Sequence, residues 1–192
     1  EYCAWARKAD LHLQQFSRRI AAILAKAFPH PPRGGITGAG LVELDMITVT
    51  PESFRLAQAF TISRGSRTEA VVVVARITEE GLTGMGECVP YARYGESVPG
   101  VLAAIEAMRG AVEDSIGRED LARIMPAGAA RNAIDCALWD LEAKRAGTPV
   151  ATLLGISAPK PLVTAYTISL GEPETMARQA AEVSHRALLK VK

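Results

Sequence analysis

The last three residues, Lys190-Val191-Lys192, carry the most informative spacing in the chain. On a β-strand, residues two apart share a face, so both ammonium groups stand on one side while Leu189 and Val191 point to the other. Two such groups about 7 Å apart and partly desolvated oppose each other's charge, which leaves one of them able to act as a base. On a solvated strand end the same pair means only solubility. The two readings part on what covers Leu189 and Val191: if helices do, both lysines turn inward.

Arg64 lies between two stretches rich in β-branched residues, beside Gly65 and close to Arg67. It reads as a solvated hairpin tip, or as a guanidinium offered to a carboxylate, which Arg grips with two parallel hydrogen bonds. Tyr91, Arg93, Tyr94 and Glu96 crowd a loop that also holds Pro90 and Gly95, either a packed segment or a lid over a pocket. Asp135, Asp140 and Glu142 suggest paired carboxylates for acid–base work, but Arg131, four residues before Asp135, predicts a helical ion pair instead. Trp139 reads as core or domain interface. Gly34-Gly35-Ile36-Thr37-Gly38-Ala39-Gly40 has the glycines of a phosphate cradle, yet prolines precede it and a strand pattern follows, which makes it a linker. His12, His30 and His185 stand far apart without orienting partners and receive no role.

The elements that must hold these groups follow from periodicity. Leu13, Phe16, Ile20, Ile23, Leu24 and Phe28 recur at helical spacing over residues 1–28, and Pro29 to Gly40 then break the chain, so 1–40 reads as a helical extension with a Pro/Gly linker. Strand patterns at 42–49, 53–63 and 68–78, divided by Pro51 and by Arg64-Gly65-Ser66, predict three antiparallel strands. Glu80-Gly81 and Gly84-Met85-Gly86 read as turns into a long loop. Ser97 caps a predicted helix that runs to Gly117, a short helical turn surrounds Leu121, and a second long helix spans 127–146 before Gly147 and Pro149. From Pro161 the pattern becomes strand (Leu162–Ser169), helix (Pro173–Arg186) and strand (Ala187–Lys192). Two strands joined by a helix run parallel, so this β-α-β unit opens an α/β sheet or barrel.

Bulk properties exclude several classes. The chain has 192 residues, 48% hydrophobic and 22% charged, with a net charge of +1, so it lacks the basic stripe that nucleic acid or an anionic membrane demands. Cys3, Cys88 and Cys136 form no CxxC pair, which argues against both a disulfide framework and a zinc site and for a reduced cytoplasm. No stretch approaches the ~18 apolar residues of a membrane span. The start at Glu1 and the stop at Lys192 within an apolar run read as an excerpt cut at both ends, and an eight-stranded barrel needs about 250 residues.

The residues converge on a family. Phe54-Arg55-Leu56, Phe60 through Arg67, Gly84-Met85-Gly86-Glu87-Cys88 and Pro90 through Ser97 resemble the capping-domain loops of bacterial dipeptide epimerases of the enolase superfamily. Arg131 through Leu141 resembles the helix that precedes the barrel in the muconate-lactonizing branch. Thr164 through Ser169 is similar to its first barrel strand, and Lys190-Val191-Lys192 to the KxK motif on its second. The resemblance implies an α+β capping domain at 41–157, three antiparallel strands then helices, followed at 158–192 by the start of a TIM-type barrel that the chain does not complete.

It further implies Lys192 as the catalytic base, Lys190 as its electrostatic and orienting partner, Arg64 as the contact for the acidic side chain of an Ala–Glu-type dipeptide, Tyr94 in a closing loop and Thr167 lining the pocket. The reaction implied is epimerisation through removal of the α-proton of the dipeptide's C-terminal residue, with Mg²⁺ on the substrate carboxylate. The acidic metal ligands, a second lysine and an Asp-x-Asp for the dipeptide ammonium belong on later barrel strands, beyond Lys192. These 192 residues alone are therefore expected to bind no catalytic metal and to epimerise nothing. Within the same superfamily an N-acylamino acid racemase, an o-succinylbenzoate synthase or a cycloisomerase shares the barrel motifs, and a non-catalytic capping-domain product is the alternative outside it. A small dipeptide is the implied partner, with no nucleic acid or membrane, and a homo-oligomer is compatible with it.

Overall fold

The computed structural model describes residues 46–157 and 159–192. The helical extension and linker expected over 1–40, and the first residues of the strand expected at 42–49, lie outside the described residues. The chain divides into two compact units. Among the described residues, the first comprises 46–52 and Val72–Gly155, and the second Ser53–Val71 and Ile156–Lys192.

Three strands open the chain: β1 (Met46–Ile62), β2 (Gly65–Glu79) and β3 (Leu82–Cys88), in the spatial order β1-β2-β3. The expectation of three antiparallel strands holds, but their bounds shift. The strands expected at 42–49 and 53–63 are one continuous strand that runs through Pro51. Among the described residues β1 lies at the sheet's margin, where a residue without an N–H is tolerated. The third strand is the segment expected to be turns: Leu82–Cys88 pairs antiparallel with β2, Val73 opposite Cys88 and Glu79 opposite Leu82.

In the first unit, five helices follow: α1 (Val98–Glu106), α2 (Arg109–Glu113), α3 (Arg118–Ile124), α4 (Ala129–Ala146) and α5 (Val150–Leu153). Ser97 caps α1 as expected, its hydroxyl accepting from the Gly100 amide at 3.2 Å. The helix expected to reach Gly117 is instead two: the Met108 amide bonds to Ile105 O at 2.9 Å, a tightened 3₁₀-type closure, before α2 restarts. The bounds of α4 match the sequence pattern. Gly147 ends it with φ +60°, a left-handed conformation that costs glycine nothing.

Helix α4 lies directly on β3. Ala133, Ile134, Ala137 and Leu141 form its buried face, and Gly84 and Gly86 let the strand backbone approach that face. A Cβ on Gly86 would stand 2.6 Å from Ala137 N, and one on Gly84 2.7 Å from Leu141 Cβ. The glycines that look like turn signals in the sequence are therefore a contact surface.

The outer edge of β3 is closed by side chains of α4. Asn132 donates to Glu87 O (3.1 Å), Lys144 to Thr83 O (2.6 Å), and Asp140 accepts from the Met85 amide (2.8 Å). Thr83, Met85 and Glu87 alternate along the strand, so the helix satisfies the groups that β2 cannot reach. Burial pushes the Asp140 carboxyl upward, but the hydrogen bonds from Lys144 and the Met85 amide outweigh it and hold it below the usual carboxylate range. Arg118 stacks on the Trp139 ring, 3.2 Å from its centroid, and donates two parallel bonds to Glu142 at 2.9 and 3.0 Å, which fastens the start of α3 to α4.

In the second unit, β4 (Tyr166–Ile168) and β5 (Leu189–Val191) pair in parallel, joined by α6 (Pro173–Glu182). This is the β-α-β arrangement expected from the sequence, with all three elements shorter than their patterns.

Candidate functional site

Four of the five expected site residues belong to the second unit. Thr167 and Lys190 are register partners on adjacent parallel strands, so their side chains stand on the same face of the pair. Lys192 follows two residues on and continues that face, its amide bonding Ile168 O at 3.3 Å. On the opposite face Ile168 is buried, Leu189 half-buried and Val191 65% exposed. The apolar face expected to be covered by helices is thus covered at Ile168 and open at Val191, where α6 does not reach. Both lysines are exposed.

Arg64 sits in the two-residue turn Ser63-Arg64 between β1 and β2 and is exposed. Among the described residues no ion pair engages its guanidinium. The hairpin below it is braced: Thr61 and Ser66 share a hydroxyl hydrogen bond of 2.9 Å, and the Arg67 guanidinium lies 5.8 Å from the centre of the Phe60 ring. The Leu170 amide, just past β4, donates to Thr61 O at 3.0 Å. Arg64 therefore projects from a stiff hairpin bonded to the C-terminal end of a parallel strand, and that end carries the reacting groups in barrels of parallel strands.

The fifth residue, Tyr94, belongs to the first unit. It closes a single 3₁₀ turn, Ala92–Tyr94, is 76% exposed, and tilts against Tyr91 with ring centroids 5.5 Å apart. Glu96 anchors this loop. Its carboxylate accepts from the Tyr91 amide (2.9 Å) and from the Ala129 amide (2.7 Å) at the start of α4, where the positive end of the helix favours an anion. The sequence shows Glu96 in the crowd of loop residues but not that it fixes the loop's base.

Two other expectations are corrected. Arg131 does not pair with Asp135; it donates to Ala122 O (3.4 Å) and Met125 O (3.1 Å), where the exposed carbonyls ending α3 compete for it. Asp140 and Glu142 are engaged by Lys144 and Arg118, so they are structural groups and not an acid–base pair. Within the first unit a cleft of about 480 Å³ opens between the Tyr94–Ser97 loop, α1 and residues Met125–Arg131. Its charged groups, Glu96 and Arg131, are engaged by backbone partners.

Among the described residues no three His, Cys, Asp or Glu side chains converge as a metal ion requires. These residues by themselves do not fit a divalent cation. No helix among the described residues is long and apolar enough to cross a membrane.

Residues 45–155 match the family model described as mandelate racemase / muconate lactonizing enzyme, N-terminal domain. An L-Ala-D/L-Glu epimerase of Escherichia coli (strain K12) is 48% identical over 148 residues, which cover 76% of this chain and 46% of the relative. A crystal structure of an enolase family member from Agrobacterium tumefaciens with homology to dipeptide epimerases, with bound sodium, L-Ala-L-Glu and an ordered loop, is 54% identical with a TM-score of 0.74. It covers 77% of this chain and 45% of that one. A dipeptide epimerase from Enterococcus faecalis V583, complexed with Mg and the dipeptide L-Leu-L-Tyr, is 32% identical with a TM-score of 0.67, covering 77% of this chain and 45% of that one. The chain spans less than half the length of each of these proteins.

Proposed function

This chain belongs to the mandelate racemase / muconate lactonizing enzyme family, and from that premise we propose that it is the front part of a dipeptide epimerase acting on substrates of the Ala–Glu kind. The observation that carries the reading is the pairing of Thr167 with Lys190 on adjacent parallel strands, with Lys192 next on the same face. Similarity to the Escherichia coli L-Ala-D/L-Glu epimerase and to the Agrobacterium tumefaciens protein with bound L-Ala-L-Glu supports the substrate class. We take 41–157 as the capping domain and 158–192 as the start of the barrel, in a cytoplasmic enzyme.

The chemistry assigned to this chain's own residues is a proton transfer at carbon. The Lys192 Nζ, in its neutral form, takes the α-proton of the dipeptide's C-terminal residue, and the electron pair left behind spreads into the neighbouring carboxylate. A second acid on the opposite face, supplied by residues beyond Lys192, returns a proton to that carbon. The stereocentre inverts, and no atom is gained or lost. The positive charge of Lys190 stands beside the developing negative charge and stabilises it. Arg64 holds the acidic side chain by a bidentate, charge-assisted contact. Thr167 lines the pocket. Metal ligation, as in the Enterococcus faecalis protein, falls to residues outside this chain, and the activity belongs to the complete polypeptide.

Proton exchange at the substrate's α-carbon tests this. The complete polypeptide, given L-Ala-L-Glu in deuterated water, is expected to replace the α-hydrogen of the glutamate with deuterium and to form the epimer. Lys192→Met should lower the rate about 10³-fold, the scale of a positioned general base. Undiminished exchange in that variant would remove Lys192 from the mechanism.

A further inference from the structure

We propose that Ser169 is a positioning residue for substrate selection: together with the Leu170 amide it ties the Arg64 hairpin to the C-terminal end of β4 and so fixes where the guanidinium stands. The inference rests on the proposed function for the identity of the substrate, but the tether itself is a matter of geometry within one unit.

Ser169 is a buried polar side chain, 7% exposed, directly after β4. A buried hydroxyl must find an acceptor or forfeit its hydration. It donates to Ala59 O at 3.3 Å, across 110 residues of sequence. The next residue repeats the pattern, with the Leu170 amide on Thr61 O at 3.0 Å. Ala59 and Thr61 are two apart on β1, so their carbonyls leave the same edge, and the end of β4 engages both.

From Thr61 the restraint passes across the hairpin through the 2.9 Å hydroxyl bond to Ser66. One residue pair further on is the turn that carries Arg64. The path from Ser169 to the turn therefore runs through the Ala59 and Thr61 carbonyls, the Thr61–Ser66 bridge and the few covalently linked residues of the hairpin tip. A misplacement of about 1 Å in a group that orients substrate costs up to about 10²-fold in rate. Loosening one of two tethers should give a smaller loss.

The test compares L-Ala-L-Glu with its neutral isostere L-Ala-L-Gln in the complete polypeptide. Ser169→Ala is expected to lower the ratio of the two kcat/KM values about tenfold, chiefly through KM for the acidic dipeptide. In an Arg64→Ala background the same change should leave the ratio as it was, because Ser169 acts through Arg64. Thr61→Val, which keeps shape and removes the hydroxyl bridge, should lower the ratio in the same direction. In this 192-residue chain, Ser169→Ala should speed hydrogen exchange of the Leu170 amide about tenfold. Equal losses on both dipeptides, a continued response in the Arg64→Ala background, or unchanged exchange at Leu170 would each overturn the inference. If the unmodified enzyme epimerises neither dipeptide, the proposed function fails on its own, and the exchange measurement alone then decides whether the tether exists.

Discussion

The unit built on α4 and the unit that contains β4 and β5 treat their apolar side chains in opposite ways. Among the described residues, the buried hydrophobic core belongs to the first unit with the single exception of Ile168. The second unit leaves Leu162, Val163, Leu188 and Val191 in solvent. Polar groups follow the same division. In the first unit Asp140, Lys144, Glu96 and Arg131 bind backbone groups at strand edges and helix ends; in the second, Arg64, Lys190 and Lys192 are exposed. The buried core is thus concentrated in one stretch of the chain, and the stretch to which we assign the proposed chemistry is the one that leaves apolar surface exposed.

The largest test of that division is Gly86→Ala. The added methyl has backbone on the far side, with no flexible side chain to yield, so helix and strand must part. A loss of about 3 kcal/mol or more is expected, read as the thermal or urea midpoint of the first unit. Retention of the wild-type midpoint would mean that the two glycines are not the contact described.

Next in size is an alkaline effect at Cys88. Burial raises this thiol from 9.0 to about 11. Between those values the unfolded chain has lost a proton that the folded chain keeps, so stability falls as the pH rises from about 9 to about 11. The loss is on the order of 2 kcal/mol, and Cys88→Ala should remove most of it. Urea midpoints measured at pH 8 and pH 10.5 for both proteins check this, and parallel slopes would show that Cys88 is not the group responsible.

The smallest effect sharpens the comparison from the other side. Leu162 is 90% exposed, so Leu162→Ser in this chain should change stability by less than about 0.5 kcal/mol. A loss of several times that size would show that the second unit buries more than its described geometry allows.

Where the sequence was readable, the determinants were local. Ser97 before an apolar stripe, Gly147 and Pro149 after one, and the two-residue period of Lys190 and Lys192 each follow from a few neighbouring residues. The failures share a cause of the opposite kind. Gly84 and Gly86 look like turn residues until α4, some fifty residues later in the chain, is laid against them, and Pro51 looks like a strand break until β1 proves to be marginal in its sheet. Arg131 has a carboxylate at helical spacing but meets carbonyls of another helix. In the candidate site, Arg64, Thr167, Lys190 and Lys192 were reachable by pattern and resemblance. Ser169 was not, since the acceptor that gives it meaning comes from β1.

The helix that seals β3 has a consequence for how copies of this chain can meet. With Asn132, Asp140 and Lys144 bonded to that margin, a strand from a neighbouring molecule would have to displace three side-chain hydrogen bonds before it could extend the sheet from β3.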